Sequence, residues 1–140
     1  MLGLKDLFGG SANREKEDAL LRQALSAKTA TVISARCCSA GAAAQDEVLE
    51  ATVKAALKDS ALDWEIVTIT ITQAQSSAGR IGASLSPAQA GLIQEIQGLF
   101  MSNGLSIFPA LILDQKLLCY GGVPSMEQLK ARLEQAQVAA

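Results

Sequence analysis

The chain has 140 residues, the size of one domain, and its 49% apolar content excludes an intrinsically disordered protein, which needs low hydrophobicity and high net charge. A net charge of −2 shows no basic excess of the kind that nucleic-acid binding requires, so we expect no nucleic-acid partner. The chain contains no histidine, which excludes Ser-His-Asp and Cys-His catalysis and histidine-ligated metal sites.

Helical and strand patterns alternate along the first half of the chain. Small and polar residues between Gly9 and Asn13 interrupt any helix, so we expect residues 1–13 to form a loose arm. Apolar periodicity and β-branched content predict the next four elements. They are a helix over 14–27, a strand over 29–34, a helix over 42–58 and a strand over 64–72. We interpret Asp46, Glu47 and Glu50 as first-turn and outer-face residues of the second helix.

The second half of the chain begins with a polar stretch. Residues 73–84 are small and polar without periodicity, which predicts a loop. Ser86 and Pro87 provide an N-cap and a first-turn proline for a helix that ends at Asn103-Gly104. Three elements complete the chain, namely strands over 107–113 and 117–120 and a last helix that Pro124-Ser125 opens.

The predicted element order is (α)βαβαββα, in which two βα units precede a β-hairpin and a helix. We therefore expect an α/β protein with the three-layer thioredoxin fold, a mixed four-stranded sheet and one extra N-terminal helix. The arm and extra helix occupy 1–28, and the thioredoxin-like domain occupies 29–140. The first ten residues lack the pattern of a signal peptide and no run is long enough to span a membrane, so we expect a cytoplasmic protein.

Pro109 lies at the entry of a strand that must be central to bury residues 110–113. Proline removes a ladder donor, so an ordinary strand-entry proline is one interpretation. In thioredoxin-fold proteins a cis-proline occupies this place opposite the thiol loop, and the segment around Phe108-Pro109 resembles that one. We therefore predict a cis Phe108–Pro109 bond whose backbone faces Cys37 and Cys38.

The adjacent cysteines Cys37 and Cys38 lie between a predicted strand and the N-terminus of a predicted helix. Backbone N–H groups there and the neighbouring cation of Arg36 favour the thiolate and lower its pKa. Two buried, inert cysteines are the alternative interpretation. A disulfide between adjacent cysteines is strained and easily reduced, whereas two sulfurs from one short segment suit a large, soft ion. The pair therefore favours soft-ion capture over disulfide exchange.

The string Cys37-Cys38-Ser39-Ala40-Gly41 after a β-branched strand resembles the CCSxG loop of the ArsD family. Members of this family are small thioredoxin-fold proteins that bind arsenite or antimonite and pass it to an arsenite-pump ATPase. The run 108–114 and the later Gly121, Pro124 and Leu129 follow the same register, so the resemblance covers about residues 29–134. It implies a metallochaperone in which Cys37 and Cys38 bind As(III) for delivery to an ATPase. The residues that we expect to support them are Arg36, Ser39, Gly41, Phe108 and Pro109.

The family's third cysteine, five positions after the second, is replaced in this chain by Ala43, although arsenite prefers three thiolates. Cys119 supplies the third sulfur only if its strand brings it to the loop. Otherwise Cys119 is a buried strand cysteine, and a thiol of glutathione or of a partner protein completes the site. Two further functions stay open, namely a thiol–disulfide oxidoreductase that uses Cys37 and Cys38 and a scaffold that docks a partner protein.

Overall fold

The computed structural model describes residues 10–35 and 42–139. Within these ranges the chain forms five α-helices and four β-strands, and short 3₁₀ turns follow the third and fourth helices. In chain order the elements are α1 (Gly10–Ala24), β1 (Thr29–Ser34), α2 (Ala42–Asp59), β2 (Glu65–Thr70), α3 (Ile71–Ile81), α4 (Pro87–Asn103), β3 (Ala110–Leu113), β4 (Lys116–Tyr120) and α5 (Met126–Ala139). None of the described helices is long and apolar enough to cross a bilayer.

The four strands form one mixed sheet in the order β2-β1-β3-β4. β1 and β2 are parallel because α2 connects them as a crossover, and Thr29 lies opposite Glu65. β3 runs antiparallel to β1, with Ala110 opposite Ile33, and β4 returns antiparallel along β3. The α/β class and the mixed four-stranded sheet predicted from the sequence are therefore confirmed.

The core lies in two apolar clusters, one on each face of the sheet. On one face α1, α3 and α4 pack against side chains such as Ile69 and Ile112, and on the other α2 and α5 pack against Val32 and Leu111. Every residue of β1 is buried because this central strand is covered on both faces. The result is three layers with β1 at the centre.

α1 begins earlier than the sequence predicts. The loose arm expected over 1–13 is wrong for residues 10–13, which already belong to α1, and the helix ends at Ala24 rather than near residue 27. Glycine and polar residues cost little in a first turn because the first four N–H groups of a helix have no intrahelical acceptor. Leu21, Ala24 and Leu25 are buried against the sheet, so tertiary packing stabilises this helix.

The loop predicted over 73–84 is also wrong, because most of it belongs to α3, and the strand predicted over 64–72 ends at Thr70. Thr70 is the N-cap of α3. Its Oγ1 accepts a hydrogen bond from the Gln73 N–H at 3.2 Å, and the Gln73 side chain accepts one from the Thr70 N–H at 3.0 Å. This capping box switches the chain from strand to helix without an intervening loop.

Polar side chains of α1 and α3 join the two helices. Ser77 Oγ donates a hydrogen bond to Asp18 at 2.6 Å, and Arg80 forms ion pairs with Asp18 at 2.9 Å and Glu17 at 3.3 Å. The hydrogen bond from Arg80, followed by that from Ser77, holds the pKa of Asp18 below its ordinary value of 3.8. The polar composition that hides α3 in the sequence therefore serves its contact with α1.

Replacing Asp18 by asparagine should lower the melting temperature at neutral pH, because Arg80 loses its closest carboxylate. A carboxyl group whose pKa is lowered by folding stabilises the protein above its unfolded pKa and loses this effect as the pH falls through the folded pKa. We therefore expect the difference between wild type and Asp18→Asn to be full above about pH 5 and to shrink below about pH 4, in thermal melts followed by circular dichroism. Glu15→Gln, an exposed change on the same helix, serves as the control. A difference between wild type and Asp18→Asn that stays constant from pH 7 to pH 3 would contradict this account.

Candidate functional site

The predicted thiol segment connects β1 to α2, and both points of attachment are described. Ala35, which follows β1, is buried, and Ala42 opens α2. The predicted site residues Arg36, Cys37, Cys38, Ser39 and Gly41 lie outside the described residues. The segment enters from the buried central strand and leaves into the N-terminus of an 18-residue helix. A helix of this length presents free N–H groups and the positive end of its dipole at that terminus.

Pro109 lies beside the end of β1. Ile33 pairs with Ala110, so the next step along these antiparallel strands sets Pro109 opposite Ser34. The Phe108–Pro109 peptide bond is cis, in agreement with the prediction. Phe108 is buried and packs edge-to-face against Phe100, with ring centroids 5.4 Å apart. The strand end that leads into the thiol segment therefore has a buried proline and an aromatic pair next to it.

Gly121 brings the chain back to the same end of the sheet. Its N–H donates to the carbonyl oxygens of Ile107 at 2.8 Å and Pro109 at 3.2 Å. Its φ is +78°, and a Cβ atom at this position would lie 3.0 Å from the Ser106 carbonyl oxygen. Both the backbone angle and the close approach require glycine. Gly121 thus holds the backbone around Pro109 in place.

Gly121→Ala should lower the free energy of unfolding by about 1–2 kcal/mol, because alanine at a positive φ is strained and its Cβ meets the Ser106 carbonyl. Urea denaturation measures this change. Gly122→Ala is the matched control, since a Cβ there meets nothing within 4 Å. Equal stability losses for the two variants would contradict the role assigned to Gly121.

Asp46 occupies a different position from the one that the sequence predicts. The prediction that it lies in the first turn or on the outer face of α2 is wrong, because Asp46 is 0% exposed. It lies on the same stripe of α2 as Leu49 and Val53, three and seven positions further on, and this spacing was the signal that could have identified it as buried. Glu47 is exposed, as predicted.

The Ser34 hydroxyl donates a hydrogen bond to Asp46 Oδ2. Ser34 is the last residue of β1 and is also 0% exposed, while Asp46 lies in the second turn of α2. The bond therefore joins the two elements that flank the thiol segment. Burying a carboxylate is costly unless hydrogen bonds compensate for the lost water, so this contact fixes where β1 ends relative to α2.

Cys119 lies on β4 and is half-buried against the cluster formed with α2 and α5. Cys119 pairs with Leu111, and Leu111 pairs with Val32. Cys119 is therefore level with Val32, two residues before the end of β1. β3 separates β4 from β1, which sets the two strands about 10 Å apart. Burial raises the pKa of the Cys119 thiol above its ordinary value of 9.0, which disfavours the thiolate.

The described part of the site is a hydrogen-bonded framework around the thiol segment. The end of β1, Pro109 and Gly121 meet at one end of the sheet, and the Ser34–Asp46 bond holds the start of α2 there. Within 10–35 and 42–139, no three Cys, His, Asp or Glu side chains are grouped to hold a metal ion. Comparison of the chain with protein families, with curated proteins and with solved structures found no match.

Proposed function

We propose that this chain is a thioredoxin-fold carrier of a soft metalloid, in which Cys37 and Cys38 bind As(III) for delivery to a partner protein. The observation that carries the proposal is the adjacent cysteine pair between the buried strand β1 and the N-terminus of α2. The strand order β2-β1-β3-β4, with Pro109 beside the end of β1, supports the thioredoxin fold. The resemblance of residues 37–41 to the ArsD loop supports arsenite as the cargo and an ATPase as the recipient.

The chemistry is ligand exchange at arsenic without a change of oxidation state. Two thiols of the chain each give a proton to a hydroxide ligand of arsenous acid. Two water molecules leave, and two As–O bonds are replaced by two As–S bonds. Thiolate is a soft ligand and As(III) a soft acceptor, and the helix N-terminus that follows the cysteines favours the thiolate that attacks.

The position of Cys119 supports a site with two protein thiolates. Cys119 is on an edge strand, about 10 Å to the side of β1, and its raised pKa disfavours the thiolate. We therefore expect the third ligand to come from outside the chain, either from glutathione or from a thiol of the recipient. An outside ligand also gives a route for transfer, because the recipient's thiols can replace the carrier's one at a time.

Intact-protein mass spectrometry tests the proposal with arsenite and with phenylarsine oxide, which has two exchangeable positions on arsenic. We expect one arsenic per chain in the wild type and in Cys119→Ser. Cys37→Ser and Cys38→Ser should each weaken binding by at least about tenfold, because one sulfur cannot close the chelate. A wild-type arsenite adduct that is one water molecule lighter than the two-thiolate adduct, and that Cys119→Ser does not form, would mean that Cys119 is the third ligand.

Unchanged arsenic binding by Cys37→Ser and Cys38→Ser would overturn the carrier function. Reduction of insulin disulfides by the wild type, lost in Cys37→Ser, would instead assign the thiol–disulfide oxidoreductase function to the same cysteines. If neither arsenic binding nor disulfide reduction is measured, capture of a partner protein that Cys37→Ser/Cys38→Ser retains would assign the docking-scaffold function.

A further inference from the structure

The two edges of the sheet differ in their protection against pairing with another strand. β4 begins with Lys116, and a register shift interrupts its ladder with β3. β2 has the sequence EIVTIT, with its single charge at the first position and neither proline nor lysine. Lysine, proline and bulges are the usual means by which edge strands avoid pairing. β2 is therefore an unprotected edge, and no strand in the described part of the chain pairs with its outer side.

The backbone groups on that outer side can be identified from the capping box of α3. The Thr70 N–H donates to the Gln73 side chain, so it points away from β1. Backbone direction alternates along a strand, so the N–H and C=O groups of Ile66 and Thr68 also point outward. These two residues offer two donors and two acceptors to a further strand.

A groove of about 840 Å³ runs beside this edge, between β2 and α2. Trp64 and Ile66 contribute apolar surface to its floor. The rim on α2 carries four charged residues. In order along the helix they are Glu47, Glu50, Lys54 and Lys58. Thr68 Oγ1 donates to Glu50 at 2.7 Å, so the acidic half of the rim lies at the C-terminal end of β2 and the basic half at its N-terminal end.

We propose that β2 pairs antiparallel with β2 of a second copy of this chain, across a two-fold axis beside Val67. In this register Ile66 lies opposite Thr68 of the second copy and Thr68 lies opposite its Ile66. All four outward-pointing groups of each strand are then hydrogen-bonded. The two sheets become one continuous sheet of eight strands, and the contact is the same on both copies.

The charges along α2 select a second copy as the partner. The two-fold axis reverses the direction of the helix, so Glu47 faces Lys58 of the second copy and Glu50 faces its Lys54. The helices, each packed over its own β1, lie about three strand spacings or 14 Å apart, which long glutamate and lysine side chains bridge across the joined grooves. The charged rims of two copies in opposite directions are thus complementary, and opposite charges across an interface fix the register of the two strands.

Sedimentation equilibrium in reducing buffer, with the emission of Trp64 on dilution, tests this proposal. We expect the wild type to dimerise with a Kd below about 100 μM. Thr68→Pro, which lacks the outward N–H, should raise this Kd by about tenfold or more. Thr68→Val keeps that N–H and should keep the dimer. Cys37→Ser/Cys38→Ser should also keep it, so the dimer and the carrier function are tested separately. A wild type that is monomeric at about 100 μM overturns the proposal.

A charge exchange on exposed residues tests the register without changing the strand. Glu47→Lys and Lys58→Glu should each raise the Kd of the dimer by about tenfold, and the double variant should return it to near the wild-type value. These variants decide the question if circular dichroism shows that Thr68→Pro does not fold. A double variant no tighter than either single variant overturns the proposed pairing, as does a Thr68→Pro protein that folds and dimerises like the wild type.

Discussion

Replacing Asp46 by alanine should lower the free energy of unfolding by about 2–4 kcal/mol, one of the two largest effects of a single substitution that we expect. The change removes the hydrogen bond from Ser34 and leaves the hydroxyl of that residue without this acceptor in a buried position. It also removes the contact that joins the end of β1 to α2. Urea denaturation followed by circular dichroism measures the loss.

Asp46→Asn is the matched variant, because its amide oxygen still accepts the Ser34 hydrogen bond. It should lose less stability than Asp46→Ala. Glu47→Ala, next to it but exposed, should change the stability by less than about 0.5 kcal/mol. An Asp46→Ala protein as stable as Glu47→Ala would show that the buried bond contributes nothing to the support of the thiol segment.

Leu111→Ala should lower the free energy of unfolding by a comparable or larger amount, about 2–5 kcal/mol. Leu111 is 0% exposed on β3, where it lies between Val32 and Cys119 and contacts the cluster formed with α2 and α5. The strands around it cannot close over the cavity without breaking their ladders, so little of the lost packing is recovered.

Leu118→Ala on the neighbouring edge strand provides the comparison for Leu111→Ala in the same urea titrations. Leu118 is only partly buried against the same cluster, so its truncation should cost about half as much or less. If the two variants are equally destabilised, Leu111 does not lie at the centre of this cluster.

β1, α2 and α4 follow their predicted bounds most closely, whereas the strand predicted over 107–113 begins only at Ala110, after a 3₁₀ turn over Gly104–Ile107. β1 has the predicted bounds because its β-branched residues favour a strand and every one of its positions is buried. α3 was missed because its polar residues find partners on α1, about sixty positions away, and no local pattern reports such a contact. The same limit applies to the site. The periodicity of α2 placed Asp46 on the buried stripe, but only the structure brings its carboxylate to Ser34.

The packing of α1 bears on where this protein can be divided. In the sequence, α1 is an extra element in front of a complete βα pattern, so a boundary just before Thr29 looks natural. In the structure Leu21, Ala24 and Leu25 belong to the same cluster as Val67, Ile71 and Ile96, and Asp18 binds α3. A truncation at Thr29 would delete Leu21, Ala24 and Leu25, expose the Val67, Ile71 and Ile96 side chains to water, and remove the acceptor for Ser77 and Arg80. Versions of this chain made for fusion or for transplanting the cysteine pair should therefore retain α1.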